Sequence, residues 1–183
     1  MRRLGYELYL RRHPEEPWLA QGAVRFLDEW LTSKMSGWEW GSGRSSLWFA
    51  QRIARLVSIE HDKAWHQKVS QQLAEQSLTH VDLRHLALEH PELETYELDY
   101  PTLPQYAAVI LYEPDASFDF VLVDGWYRAV CARAALPKLK PGGLLVIDNT
   151  DWQHPPQAHV PADWHLVHQS RNVITETSIW RKP

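Results

Sequence analysis

The sequence predicts an α/β fold: a doubly wound, mostly parallel sheet of about seven strands with an antiparallel edge hairpin. Three observations predict it. Short apolar runs rich in β-formers alternate with stretches of helical periodicity. Glycine-bearing turns follow two of the clearest strands. The last two apolar runs have no helical stretch between them, which reads as a hairpin at one edge.

The elements follow in order along the chain. Pro17 to Lys34 reads as an amphipathic helix, because Leu19, Ala23, Phe26, Leu27, Trp30 and Leu31 recur at three- and four-residue steps. Ser36-Gly37 ends it. Trp38 to Trp40 is strand one and runs into the turn Gly41-Ser42-Gly43. A helix starts near Ser45, with Leu47, Ala50, Ile53 and Ala54 on one face. Leu56 to Glu60 is strand two. Asp62 is placed to cap a helix carrying Trp65, Val69 and Leu73. Val81 to Leu86 is strand three. The stretch from Glu89 to Asp115 is rich in proline and acids and reads as an irregular connection, with a short helix near Tyr106 to Leu111. Phe118 to Val123 is strand four, closed by Asp124-Gly125. A helix from Tyr127 to Lys140, kinked at Pro137, leads to the turn Pro141-Gly142-Gly143 and strand five, Leu144 to Asp148. Trp164 to Val167 and Ile174 to Trp180 are the final strands. No linker divides the chain, so residues 1–183 read as one domain: an N-terminal helical segment, 1–35, and a core, 36–183.

Bulk properties narrow the function. The chain has 183 residues, enough for one sizeable core, with a net charge of −4. No broad basic field is available for phosphates, which argues against a nucleic acid partner. No apolar run approaches the roughly 20 residues that span a bilayer, so no membrane partner is expected. The arginines near the start, Arg2, Arg3, Arg11 and Arg12, read as a solvated arm. The single cysteine, Cys131, excludes an intrachain disulfide and reads as a small buried hydrophobe. With no secretory apolar region, this predicts a cytoplasmic protein.

The strongest chemical signal is Glu39-Trp40-Gly41-Ser42-Gly43-Arg44-Ser45-Ser46, between a strand and a helix. Gly41 and Gly43 let the backbone turn sharply and approach a ligand, and the helix start offers free N–H groups. Ser45 or Ser46 can cap that helix or touch the ligand. Glu60 ends strand two, roughly 20 residues beyond Gly41, where a Rossmann-like sheet sets an acid against ribose hydroxyls.

The stretches EWGSGRSSLWFA, LVSIEHDKAW, FDFVLVDGWYR and LPKLKPGGLLVIDN together resemble the ordered motifs of the class I S-adenosylmethionine-dependent methyltransferases, the small Rossmann-type O-methyltransferases in particular. The final TSIWRKP resembles the last strand of small members. The resemblance runs from about Trp18 onward. It implies a Rossmann-like core and a cofactor set of Glu39, Gly41, Ser42, Gly43, Ser45, Glu60, His61 and Asp124. Glu39 would meet the amino end of the cofactor's methionine, Glu60 the ribose and His61 the adenosine. Asp124 would face the methyl group. A nicotinamide enzyme would carry a third glycine where Ser46 stands, and the acid before Gly41 also favours the methyltransferase.

Such an enzyme must align nucleophile, methyl carbon and sulfur, and remove a proton where the acceptor requires it. Asp124, Tyr127 and Arg128 are the catalytic candidates at the mouth of strand four. Arg128 pairs either with a substrate anion or with a neighbouring acid of the domain, the second being preferred. Trp40 and Trp126 can steady the sulfonium. His154 and His159, in the loop after strand five, are candidate bases. In the metal-dependent relatives an aspartate at the strand-four position and an Asp-Asn pair after strand five hold a divalent cation. Asp124, Asp148 and Asn149 supply those residue types for Mg²⁺, although Tyr127 stands where those enzymes carry a lysine. The expected reaction is methyl transfer to an oxygen or nitrogen of a small molecule, and a homodimer is left open. Two alternatives are another Rossmann enzyme, aminopropyltransferase-like or NAD-dependent, and a catalytically silent Rossmann binding module.

Overall fold

The computed structural model describes residues 9, 12–90, 99–152 and 155–183. Helix α1 (Gln21–Trp30) precedes β1 (Ser36–Trp40), α2 (Arg44–Ala50), β2 (Arg55–Glu60), α3 (Lys63–Glu75) and β3 (Val81–His85). A short helix α4 (Gln105–Ala108) runs into a 3₁₀ turn, Val109–Tyr112. Strand β4 (Phe118–Val123), α5 (Arg128–Ala135), a second 3₁₀ turn, Leu136–Lys138, and β5 (Leu139–Asp148) follow. The chain ends in β6 (His165–Arg171) and β7 (Glu176–Arg181).

The seven strands form one sheet in the order β3-β2-β1-β4-β5-β7-β6. The first five are parallel, and β7 runs antiparallel between β5 and β6. Trp40 lies level with Ile59 on β2 and Val123 on β4, and Val123 with Ile147 on β5. The carboxyl ends of four strands therefore share one edge. The chain leaves β1 toward β2 on one side and returns to β4 on the other. That is the switch point where open sheets of this kind collect their ligands.

Strand alternation builds a core on each face. Trp38, Trp40, Val121, Val123, Leu145 and Ile147 face Tyr106, Tyr127, Val130 and Cys131. Phe120, Leu122, Leu144 and Val146 face Trp48, Phe49 and the α1 residues Ala23, Val24 and Leu27. Cys131 is fully buried, as a small hydrophobe there should be.

Several elements differ in extent from the sequence reading, and Ser36-Gly37, read as the end of the first helix, lies inside β1. Helix α1 spans Gln21–Trp30, shorter at both ends than Pro17 to Lys34. The helix expected to reach Lys140 stops at Ala135, where Pro137 forces the 3₁₀ turn. Pro141-Gly142-Gly143 lies inside β5 instead of before it. The ladder slips there between Phe118 and Phe120, Gly142 takes φ +77°, and Gly142 and Gly143 bond Lys182 on the β7 side. Among the described residues, no helix is long and apolar enough to cross a membrane.

Candidate functional site

Two loops meet at the switch point. Gly41 takes φ +92°, and a Cβ there would stand 2.9 Å from the Asp124 backbone. Only glycine serves at this crossing. Gly41 N–H donates to Ile59 O on β2 (2.9 Å) and Asp124 N–H to Trp40 O on β1 (3.0 Å), so the turn after β1 is tied to β2 and the start of the loop after β4 to β1.

Below this crossing Glu39 is fully buried. Its Oε1 accepts from the Ser58 hydroxyl (2.7 Å) and from Ser46, whose oxygen also accepts from Gly43 N–H (3.0 Å). Its Oε2 has no hydrogen-bond partner among the described residues. Burial pushes the carboxyl up to about 7, against the serine hydroxyls that pull it down. A buried carboxyl oxygen without a donor calls for one.

Glu60, at the end of β2, is in the opposite condition. Its Oε1 accepts from the N–H groups of His61 and Asp62, both at 2.8 Å. Its Oε2 accepts from Ser42 N–H (3.1 Å) and the Ser42 hydroxyl (2.9 Å). Burial raises its pKa, but the bonds from His61, Asp62 and Ser42 outweigh that, and the net shift is downward. Trp65, on the first turn of α3, clamps the same loop through Nε1–H to Ser42 O (2.8 Å). The expected cap holds: Asp62 accepts from Trp65 N–H at 2.7 Å.

Arg128 sits where β4 and β5 end. Nε donates to Gly125 O, Nη1 to Asp148 O and Asn149 Oδ1, and Nη2 to Asp124 O and Oδ1. All five N–H groups are used. The Trp152 ring covers the guanidinium at 4.6 Å. Of the two roles considered for Arg128, the observed one is the pairing with the domain's own acid, Asp124, at 2.9 Å. Burial raises the Asp124 carboxyl to about 7, while Arg128 opposes the rise and Asp148 and Glu39 add to it.

This arrangement corrects the metal reading. Asp124 and Asn149 do converge, but on the Arg128 cation. Asp148 turns its carboxylate away to the hydroxyls of Thr175 (2.8 Å) and Thr177. Among the described residues, no cluster of three or more His, Cys, Asp or Glu side chains could hold a metal ion. A Mg²⁺ site of Asp124, Asp148 and Asn149 is not formed, because a guanidinium already neutralises that corner.

An open cavity of about 1620 Å³ lies over these loops. Of the residues expected at the site, Gly41, Ser42, Gly43, Ser45, Glu60, His61, Asp124 and Arg128 line it, with Glu39 buried beneath. Tyr127 does not reach it. It takes φ +52° at the start of α5, is fully buried, and its hydroxyl accepts from His90 N–H at 3.1 Å. Trp40 is also core, with Nε1–H on Tyr106 O. Trp126 lines the cavity, its ring 5.6 Å from His61. His159 lies off the cavity, and His154 and the arginines at 2, 3 and 11 lie outside the described residues. Trp18, Arg44, Trp65 and Trp152 also line the cavity and were not expected. Arg44 stands inside the glycine-bearing stretch itself and Trp65 is the third residue after its cap, whereas Trp18 and Trp152 left no local signal.

A switch-point cleft with a glycine turn, an acid before it and an acid ending the next strand is the arrangement of a class I S-adenosylmethionine-dependent methyltransferase. Residues 38–150 match the family described as a methyltransferase domain, and the chain belongs to that family. No curated protein matches the chain in sequence. Solved structures share the fold. A methyltransferase from Geobacter sulfurreducens superimposes with a TM-score of 0.66 at 15% identity, covering 98% of this chain and 88% of that one. An RNA methyltransferase from Salinibacter ruber, in complex with S-adenosyl-L-homocysteine, gives 0.59 at 16% identity, covering 92% and 94%. An rRNA methylase from Streptococcus thermophilus gives 0.60 at 15%, covering 86% and 92%.

Proposed function

We propose that this enzyme transfers the methyl group of S-adenosylmethionine to an oxygen or nitrogen of a small molecule, in the cleft above Gly41, Glu60 and Asp124. The observation that carries the cofactor's placement is the buried, unpartnered Glu39 Oε2 directly below the glycine turn. An ammonium group brought over that turn supplies the missing donor and draws the carboxyl into its charged form. Glu60 accepts the ribose hydroxyls, with Ser42 giving up its hold on Oε2. His61 and Trp126 flank the adenosine side. When bound, the cofactor supplies an electrophilic methyl on a sulfonium, and the remaining tasks belong to the chain.

Asp124 Oδ1 accepts from Arg128 Nη2, and its pKa near 7 suits a group that takes a proton from an acceptor hydroxyl or amine at neutral pH. Arg128 fixes Asp124 in place, with no N–H left over for a substrate. Tyr127 stays outside the reacting set, since it packs in the core. Net charge −4 and aromatic walls, Trp18, Trp126 and Trp152, favour a compact organic acceptor over a phosphate backbone.

Calorimetric titration tests the reading. S-adenosylhomocysteine should bind with micromolar affinity and NAD should not. NAD binding without S-adenosyl binding would overturn the cofactor assignment, and efficient methylation of bulk RNA would overturn the small-molecule acceptor.

A further inference from the structure

The cleft's charges are unevenly matched. Its inner acids all have protein donors: Glu60 holds four, Asp62 caps α3, and Asp124 holds Arg128. Glu15, at the rim, is exposed to solvent. Among the cations, Arg128 is saturated and Lys68 lies over Trp65 at 4.3 Å. Arg44 differs from both. Its Nη1 is buried and has no hydrogen-bond partner among the described residues. Its only described engagement is the face of Trp18, 5.4 Å away, and that ring is itself 54% exposed. Both line the cavity beside Gly43. A buried guanidinium N–H without an acceptor is costly, and an incoming anion removes that cost.

We infer that Arg44 and Trp18 form a carboxylate-binding site at the edge of the cleft, with the guanidinium taking the carboxylate oxygens and the indole shielding the pair from water. The recognition rests on the side chain, not on the short helix that Arg44 begins. The inference depends on the cleft's being the reading proposed above. The carboxylate comes either from the cofactor's methionine portion or from the methyl acceptor. Arg suits the role because its planar fork matches a carboxylate at two points, which lysine cannot do.

The test compares wild type, Arg44→Gln and Arg44→Lys by calorimetry, with thermal unfolding as a check on folding. The probes are S-adenosylhomocysteine, 5′-methylthioadenosine (which lacks the amino-acid portion), benzoate and benzamide. If the cofactor supplies the carboxylate, Arg44→Gln weakens S-adenosylhomocysteine about tenfold and leaves methylthioadenosine unchanged. If the acceptor supplies it, S-adenosylhomocysteine is unaffected. Benzoate then binds the S-adenosylhomocysteine-saturated wild type about tenfold more tightly than benzamide, and Arg44→Gln erases the difference. Arg44→Lys should recover only part of either effect. The proposal is overturned if Arg44→Gln binds S-adenosylhomocysteine and benzoate as the wild type does. It is also overturned if Arg44→Gln loses methylthioadenosine affinity equally, which would make Arg44 structural. If wild type binds no S-adenosylhomocysteine, the cofactor reading above falls, and the benzoate and benzamide arm, run without it, decides the Arg44 site alone.

Discussion

Replacing Arg128 with Met keeps much of the aliphatic stem and deletes the guanidinium. Five hydrogen bonds disappear, three of them to the backbone carbonyls of Gly125, Asp124 and Asp148. Asp124 loses its counter-ion in a site where its pKa is already raised by burial. Leaving one member of a buried ion pair alone costs about 3–5 kcal/mol. Water entering from the cavity can rehydrate some of the freed carbonyls, which keeps the total near that range and below the sum of five separate penalties. For a chain of this size, about 2–4 °C is lost per kcal/mol, so the midpoint of thermal unfolding should fall by roughly 6–20 °C. Arg128→Lys should recover only part of this, since one ammonium reaches Asp124 but cannot bridge both strand ends. Urea unfolding followed by tryptophan fluorescence measures it, with an unchanged m-value showing that the unfolded state is the same. A loss under about 1 kcal/mol in Arg128→Met would refute the idea that the guanidinium locks the two strand ends.

Three further outcomes are expected. Glu60→Gln keeps the side-chain shape but loses the charge; with charged hydrogen bonds worth about 1.5–3 kcal/mol, S-adenosylhomocysteine affinity should fall by about tenfold or more by calorimetry, and an unchanged constant would place the ribose elsewhere. Glu39 is held near pKa 7 by burial, so its neutral form persists below that pH; S-adenosylhomocysteine affinity should rise with pH up to about 7 and then level off, with proton release on binding at lower pH, and Glu39→Gln should flatten this limb. Methyl transfer should be insensitive to EDTA and to added Mg²⁺ in a radiolabelled-methyl assay, whereas loss of activity on chelation would show that Arg128 does not stand in for a cation.

The sheet was readable because its two central strands carry apolar runs, Phe120 to Val123 and Leu144 to Ile147, and because Gly41 and Asp62 mark where strands give way to helices. The edge was harder. β6 spans His165–Arg171, and its half beyond Val167 is polar, since one strand face meets solvent and carries no hydrophobic alternation. Pro141-Gly142-Gly143 has the composition of a turn, yet it lies inside β5 where the β4 ladder shifts register, held by the bonds of Gly142 and Gly143 to Lys182. At the site, Glu39, Gly41 and Glu60 were legible because each sits at a fixed register beside a strand end. Tyr127 misled by its nearness in sequence to Asp124: the left-handed step that opens α5 swings its ring into the core. Trp18 and Trp152 reach the cleft from separate segments, and local spacing does not encode that meeting. Thr175 and Thr177 claim Asp148 from the far hairpin, so the failure of the metal triad is a long-range effect.

The crossing at Gly41 has a consequence for how this enzyme can diversify. Because its backbone touches that of Asp124, the glycine turn after β1 and the residue that ends β4 form a single joint. A side chain at Gly41 would displace both at once, so neither can be re-aimed alone. Variation in acceptor choice must then fall on parts hung outside the joint, such as the segments bearing Trp18, Trp126 and Trp152. The joint behaves as a fixed anvil, and new substrates are won by reshaping what strikes it.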